Sequence, residues 1–175
     1  MKRAPVRAVP VPVGGLASAT FFGVDYADAY AAVLPTDVSA RVFAEAVCSP
    51  SPRWVSVLMS LRNTVVRPLG LVATRSALEH AATRANGSGA RIGIFPVLAE
   101  AREEVLLGLD DRHLDFRVSV RVFDDGSDRL GVVTTLVRFH GLLGRAYFIP
   151  VRPAHRLIVP AMLRAAARRL CETGR

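Results

Sequence analysis

The densest run of ionisable side chains in the chain is Asp110-Asp111-Arg112-His113-Leu114-Asp115. Carboxylates beside an imidazole are the parts of a general acid–base pair or of an oxygen/nitrogen metal site. The same four residues, Asp110 to His113, also suit a plain hairpin turn, because aspartate side chains bond to nearby backbone. A second group follows. Arg138 and His140 end an alternating apolar segment, and Tyr147 lies one or two turns into the next one. An arginine, an imidazole and a phenol around one cavity would bind an enolate or carboxylate and move a proton, so His140, Arg138 and Tyr147 are the candidate catalytic residues. No GxSxG, HExxH or CxxC pattern occurs, and Gly141 and Gly144 have no phosphate-loop spacing. Cys48 and Cys171 stand far apart without ligand spacing and read as free thiols of a reducing, cytoplasmic setting. Neither a metal nor a cofactor is expected.

Four segments that alternate in the strand manner must position these groups: Ile92 to Ala99, Glu104 to Leu109, Leu114 to Phe123 and Leu130 to Phe139. Pairing Leu109 with Leu114 sets Leu107 against Phe116 and Val105 against Val118. Pairing Ala99 with Glu104 sets Leu98 against Val105 on that same side, while Arg117, Ser119 and Arg121 point the other way. An antiparallel meander with one dry face results, with Pro96 marking an edge or a bulge. The last hairpin has two registers. If Phe116 faces Leu136, Arg138 and His140 join the apolar face; a slip of one turns both to solvent.

A helix from Pro153 to about Cys171 is expected to cover the dry face. Arg152, Arg156, Pro160, Arg164 and Arg168 form its exposed stripe. Ala154, Ile158, Ala161, Met162 and Ala165 form its inner side. Upstream, Ala19 to Val24 reads as a strand and Asp25 to Tyr30 as the opening of a short helix capped by Asp25. A second helix over Val38 to Val47 is capped by Asp37. Trp54, Leu58, Leu61 and Val65 recur at helical spacing between Arg53 and Val66, Leu69 to Ala73 reads as a strand, and His80 to Arg91 as a loop. The whole is an α+β layer fold, a curved antiparallel sheet gripping a long C-terminal helix.

A chain of 175 residues suits one domain, here residues 19–173 behind an extended, partly disordered leader over residues 1–18. The leader is too short and too rich in Pro and Gly for a signal helix, and no stretch of 18 apolar residues spans a membrane. A hydrophobic fraction of 51% and a charged fraction of 22% exclude a disordered tail protein. The net charge is +8, yet Lys2 is the single lysine among 23 basic residues. That skew matches the coding bias of a GC-rich genome, and the arginines are scattered, so nucleic acid is not the expected partner. A sheet face bearing Val or Leu beside Arg117 and Ser119 would suit a homodimer.

Several segments carry a resemblance. They are Asp25-Tyr26-Ala27-Asp28-Ala29-Tyr30; Trp54 with Leu58-Met59-Ser60-Leu61-Arg62-Asn63; and Gly93-Ile94-Phe95-Pro96-Val97-Leu98. The strongest runs from Leu107 through Asp110-Asp111-Arg112-His113 to Val120, and the last is Val133 to His140 with Gly144 to Phe148. Together they resemble a bacterial family of unknown function within the START-like, helix-grip (SRPBCC) superfamily of polyketide cyclases, lipid-transfer domains and pollen allergens. The resemblance implies a cavity between sheet and final helix that holds a small hydrophobic molecule. Trp54, Leu58, Leu107, Phe116, Val118, Ile158 and Met162 are the candidate ligand-binding residues, with a plain core role as the competing reading of Trp54. The alternative is a cyclase, dehydratase or isomerase working in the same cavity. The resemblance carries over no catalytic residue.

Overall fold

A computed structural model describes residues 6–49, 90–110, 113–126 and 128–173. Expectations for the segments around Trp54, Leu58 and Leu69, and for most of the loop before Arg91, lie outside the described residues. In chain order the elements are β1 (Arg7–Ala8), α1 (Leu16–Thr20), β2 (Tyr26–Leu34), α2 (Ala40–Cys48), β3 (Arg91–Ile92), β4 (Phe95–Ala101), β5 (Glu104–Asp110), β6 (Leu114–Asp125), β7 (Asp128–Phe139) and α3 (Gly141–Thr173). The strands form one antiparallel sheet in the order β1-β2-β7-β6-β5-β4-β3, so the first long strand lies beside the last.

Alternation builds three of the four expected strands, with the pairs moved by two residues, while the segment from Ile92 to Ala99 is broken by a turn at Gly93–Ile94 into β3 and β4. Leu107 pairs with Val118 and Val105 with Val120, while Asp110 and Asp115 close the hairpin. A shift of two keeps every side chain on its face, because side chains alternate with period two. The bulge expected near Pro96 lies between Val97 and Ala99. It turns Leu98 away from Val105 and onto the opposite face, where Leu98 packs with Leu106 and Leu136. The last hairpin sets Phe116 opposite Val137 and Arg117 opposite Leu136. Its register is therefore the slipped one.

The inner face of the sheet packs against α2 and α3. Phe43, Val105, Leu107, Val120, Val122, Leu163, Ala166 and Ala167 are all fully buried there in one cluster. Helix α2 starts where expected, but its cap is Ser39, whose hydroxyl accepts from the Val42 N–H at 3.3 Å, rather than Asp37. On the outer face lies α1, which begins inside the expected extended leader; of the strand expected over Ala19 to Val24, the first two residues are helical and Phe21 to Val24 belong to no strand. Five residues are too few for a helix to persist alone. The buried Glu104 carboxylate holds it, accepting from the Leu16 N–H at 2.8 Å and from Ser119 Oγ at 2.7 Å.

Two segments correct the sequence reading. Tyr26 to Leu34 is a strand, not a helix; Asp25 is no cap but accepts from the Phe139 N–H at 2.8 Å. Helix α3 begins at Gly141, well before Pro153, and runs through Pro150, Pro153 and Pro160. Gly141 turns the chain from β7 into the helix with φ 75°, and Gly144 lies so close to the His113 carbonyl that a Cβ would collide with it. Pro160 is buried rather than exposed, alongside Leu163, Ala166 and Ala167, whereas Ala154, Ile158, Ala161, Met162 and Ala165 are only half-buried. Each proline removes an intrahelical hydrogen bond and bends the axis, so a phase read from the helix start does not hold to its end.

Candidate functional site

Strand β2 reads Tyr-Ala-Asp-Ala-Tyr-Ala, and this alternation places Tyr26, Asp28 and Tyr30 on the inner face and three alanines on the outer one. Asp28 pairs across the strands with Thr135 of β7. Helix α3 brings His155 over the pair. The His155 Nε2 stands 3.2 Å from Asp28 Oδ1, and the Tyr26 hydroxyl donates to Asp28 Oδ2 at 2.6 Å. The Asp28 and His155 side chains are 14% and 19% exposed, which removes most competing water. Burial by itself would raise the Asp28 carboxyl, but hydrogen bonds from His155, Tyr26 and Thr135 and the attraction of His155 hold it below its ordinary value. Burial, followed by the hydrogen bond to Asp28 and its charge, pushes the Tyr26 phenol up to about 12 against the pull of Arg156. An ionised Asp28 makes Nε2 the protonated nitrogen of His155, which leaves Nδ1 as the one that can take up a proton.

A cleft of about 340 Å³ opens beside this cluster, between the start of β2, the end of β7 and the first half of α3. Its walls are aromatic. Tyr26 and Phe148 lie 4.8 Å apart between ring centroids, and Phe139 and Phe148 5.2 Å. Two guanidinium groups border it: Arg152 lies over the Tyr26 ring at 5.5 Å, and Arg145 reaches Asp25 at 3.4 Å. Apolar walls with a few convergent polar groups suit a small molecule whose body is apolar and whose head is anionic. Tyr26 separates the cleft from Asp28 and His155, neither of which lines it. A neutral phenol with its proton on Asp28 offers its oxygen as an acceptor, not as a base.

The structure brings two of the three expected catalytic residues together, though on the far side of the sheet. The slipped register puts Arg138 beside Asp115 on the outer face, and His140 follows. Asp115 is 3% exposed; it accepts from Arg138 Nη2 and lies 3.0 Å from His140 Nε2, while the two partner side chains are 44% and 40% exposed. Tyr147 is half-buried on α3. Of the aspartate-rich run, Asp111 and Arg112 lie outside the described residues, and Asp110 Oδ1 accepts from Arg117 at 2.5 Å. Of the expected ligand-binding residues, Leu107 is wholly buried in the core and Val118 packs against it. Phe116 meets Phe95 at 5.6 Å between ring centroids, Ile158 and Met162 are half-buried on α3, and Trp54 and Leu58 lie outside the described residues. The described ones line neither this cleft nor a second, outer one of about 450 Å³ between residues 11–24 and the sheet.

Sequence reading passed over Asp28 and His155. The period-two pattern of Tyr26, Asp28 and Tyr30 was the available signal, masked by an aspartate that imitates a helix cap and by alanines that favour helix. The model of one family, Protein of unknown function (DUF2867), matches residues 21–162, and the chain belongs to that family. No curated protein and no solved structure matches it.

Proposed function

We propose that this family member binds a small, largely apolar molecule with an anionic or acidic-oxygen head in the cleft between β2, β7 and α3. In this reading the open antiparallel sheet and long C-terminal helix are a helix grip of the START-like type, with the ligand at one end of the helix–sheet seam. One observation carries it: an aromatic-walled cleft is bordered by Arg145 and Arg152 and backed by the Tyr26–Asp28–His155 cluster. Tyr26, Phe139 and Phe148 hold the apolar body. Arg152, with no carboxylate partner among the described residues, takes the head.

The Asp28–His155 pair favours a second reading, an enzyme of the cyclase, dehydratase or isomerase type. A proton taken at His155 Nδ1 would have to reach the cleft past Tyr26, so this reading requires the Tyr26 ring to swing aside. Simple binding requires no such movement, and the geometry supports it better.

The fluorescent probe 8-anilinonaphthalene-1-sulfonate has the required shape, an aromatic body with one anionic group. It should bind the native protein, with affinity reduced at least tenfold by Arg152→Gln and by Phe148→Ala, and little changed by Arg138→Gln on the outer face. Equal binding by all four proteins would refute the cleft. Native mass spectrometry of the protein as purified complements the probe, since a mass lost on denaturation would identify the ligand's class.

A further inference from the structure

We infer that the exposed side of α3 docks the protein on an anionic lipid surface, with the helix lying in the plane of the headgroups. Between Gly141 and Cys171 the helix carries six arginines and no acidic residue. Arg152, Arg156, Arg164 and Arg168 are all exposed and have no carboxylate partner among the described residues. Charge alone would serve any polyanion. The apolar residues beside it narrow the choice.

Leu142, Ile149 and Leu157 recur at intervals of seven and eight residues, about two helical turns, and are 84%, 73% and 65% exposed. Arg145, Arg152 and Arg156 lie within three residues of Leu142, Ile149 and Leu157 respectively, and they are exposed too. Leucine and isoleucine left in water beside arginines are what an interfacial helix needs. The apolar tips enter the acyl boundary, and the guanidinium groups reach up to the phosphates. A nucleic acid would leave the leucines pressed dry against phosphate and gain nothing from them. A second copy of this chain, docking by two-fold symmetry, would bring two arginine rows together and repel. No helix among the described residues is long and apolar enough to cross a membrane, so α3 would lie on the surface rather than span it.

The inference goes beyond ligand binding; Ile149, Arg145 and Arg152 also line the cleft, so the test rests on Leu142 and Leu157, which do not. Flotation of the full chain with phosphatidylcholine vesicles, with and without phosphatidylserine, tests it. The protein should float only with the phosphatidylserine vesicles, and added salt should weaken binding. The double variant Leu142→Ser/Leu157→Ser should lose at least tenfold in affinity, at an unchanged melting temperature and with unchanged anilinonaphthalene-sulfonate binding. Arg164→Gln/Arg168→Gln should weaken the preference for phosphatidylserine. Docking is overturned if the leucine variant floats as well as the parent, or if the parent floats with neither vesicle. It is equally overturned if the parent binds duplex DNA more tightly than the vesicles and the leucine substitutions leave that binding intact.

Discussion

The sheet carries an aspartate–histidine pair on each of its faces, and the two are built differently. On the inner face Asp28 takes its hydrogen bonds from groups that can all be neutral: an imidazole, a phenol and a hydroxyl. On the outer face Asp115 is more deeply buried, yet it leans on Arg138, a permanent cation, with His140 as its second partner. A charge fixed by arginine cannot be handed on, so the outer pair works as a clasp between the start of β6 and the end of β7. The inner pair has no such permanent cation on its carboxylate among the described residues, and Asp28 is held by hydrogen bonds from His155, Tyr26 and Thr135. The lesson is that an aspartate–histidine contact is not by itself a reactive site; the third partner decides.

The largest expected effect concerns the inner seam of helix and sheet, which the first pair adjoins and the second does not. If the middle of the helix–sheet seam is filled, Leu163→Ala should cost about 2–5 kcal/mol in urea unfolding, as a fully buried leucine does. A loss well under 1 kcal/mol would mean that the seam is hollow and that the cleft at its end is part of a larger cavity.

Next in size is the comparison of the two carboxylates. Asp115→Ala should destabilise by roughly 1.5–3 kcal/mol, the range for hydrogen bonds to charged groups, and leave anilinonaphthalene-sulfonate binding as it was. Asp28→Ala should destabilise by a similar or smaller amount and weaken the probe several-fold, because it frees the Tyr26 hydroxyl. Reversed roles would break the distinction between clasp and site.

The smallest effect is one of pH, and it has opposite signs for the two inner partners. Asp28 sits below its ordinary value of 3.8, so its contribution to stability is present above that pH and lost as acid takes the folded carboxyl through its own, lower value. Tyr26 is raised from 10.0 to about 12, so its contribution is present below pH 10 and lost as the pH climbs toward 12. Ultraviolet titration of the three tyrosines should show a late step near pH 12 that Tyr26→Phe removes. Tyr30 is raised as well, by burial and by the charge of Asp28, so the test is the difference between the two titrations: if Tyr26→Phe removes no late-titrating phenol, the Tyr26–Asp28 hydrogen bond is refuted.

Long alternating strands make the second half of the chain legible from its residues alone. Val105, Leu107, Val118 and Val120 fall on one face whether the register is right or shifted by two, so the dry face is safe from the error. The last hairpin is not safe, because its two registers differ by one and expose equally many apolar residues; only the fold itself places Arg138 beside Asp115. Strand β2 is hidden by alanines, which carry little strand preference, and the buried side of α3 by three prolines that disturb its phase. The candidate site is the least readable part. Its acid and its base come from opposite ends of the chain, and local pattern contains no information about which distant residues will meet.

Asp28 and His155 are separated by 127 positions, and β2 finds its long partner strand in β7, beyond the whole meander. This topology imposes an order of events on a chain made from its N-terminus. Strand β2 is made before β7 and, apart from its two-residue pairing with β1, must wait while α2 and the whole β4–β6 meander are synthesised. The meander can close on itself by neighbouring hairpins, but the cluster around Asp28 forms only once α3 arrives. The Asp28–His155 contact therefore cannot form until β7 and α3 have both been made, whereas the hairpins of the meander can.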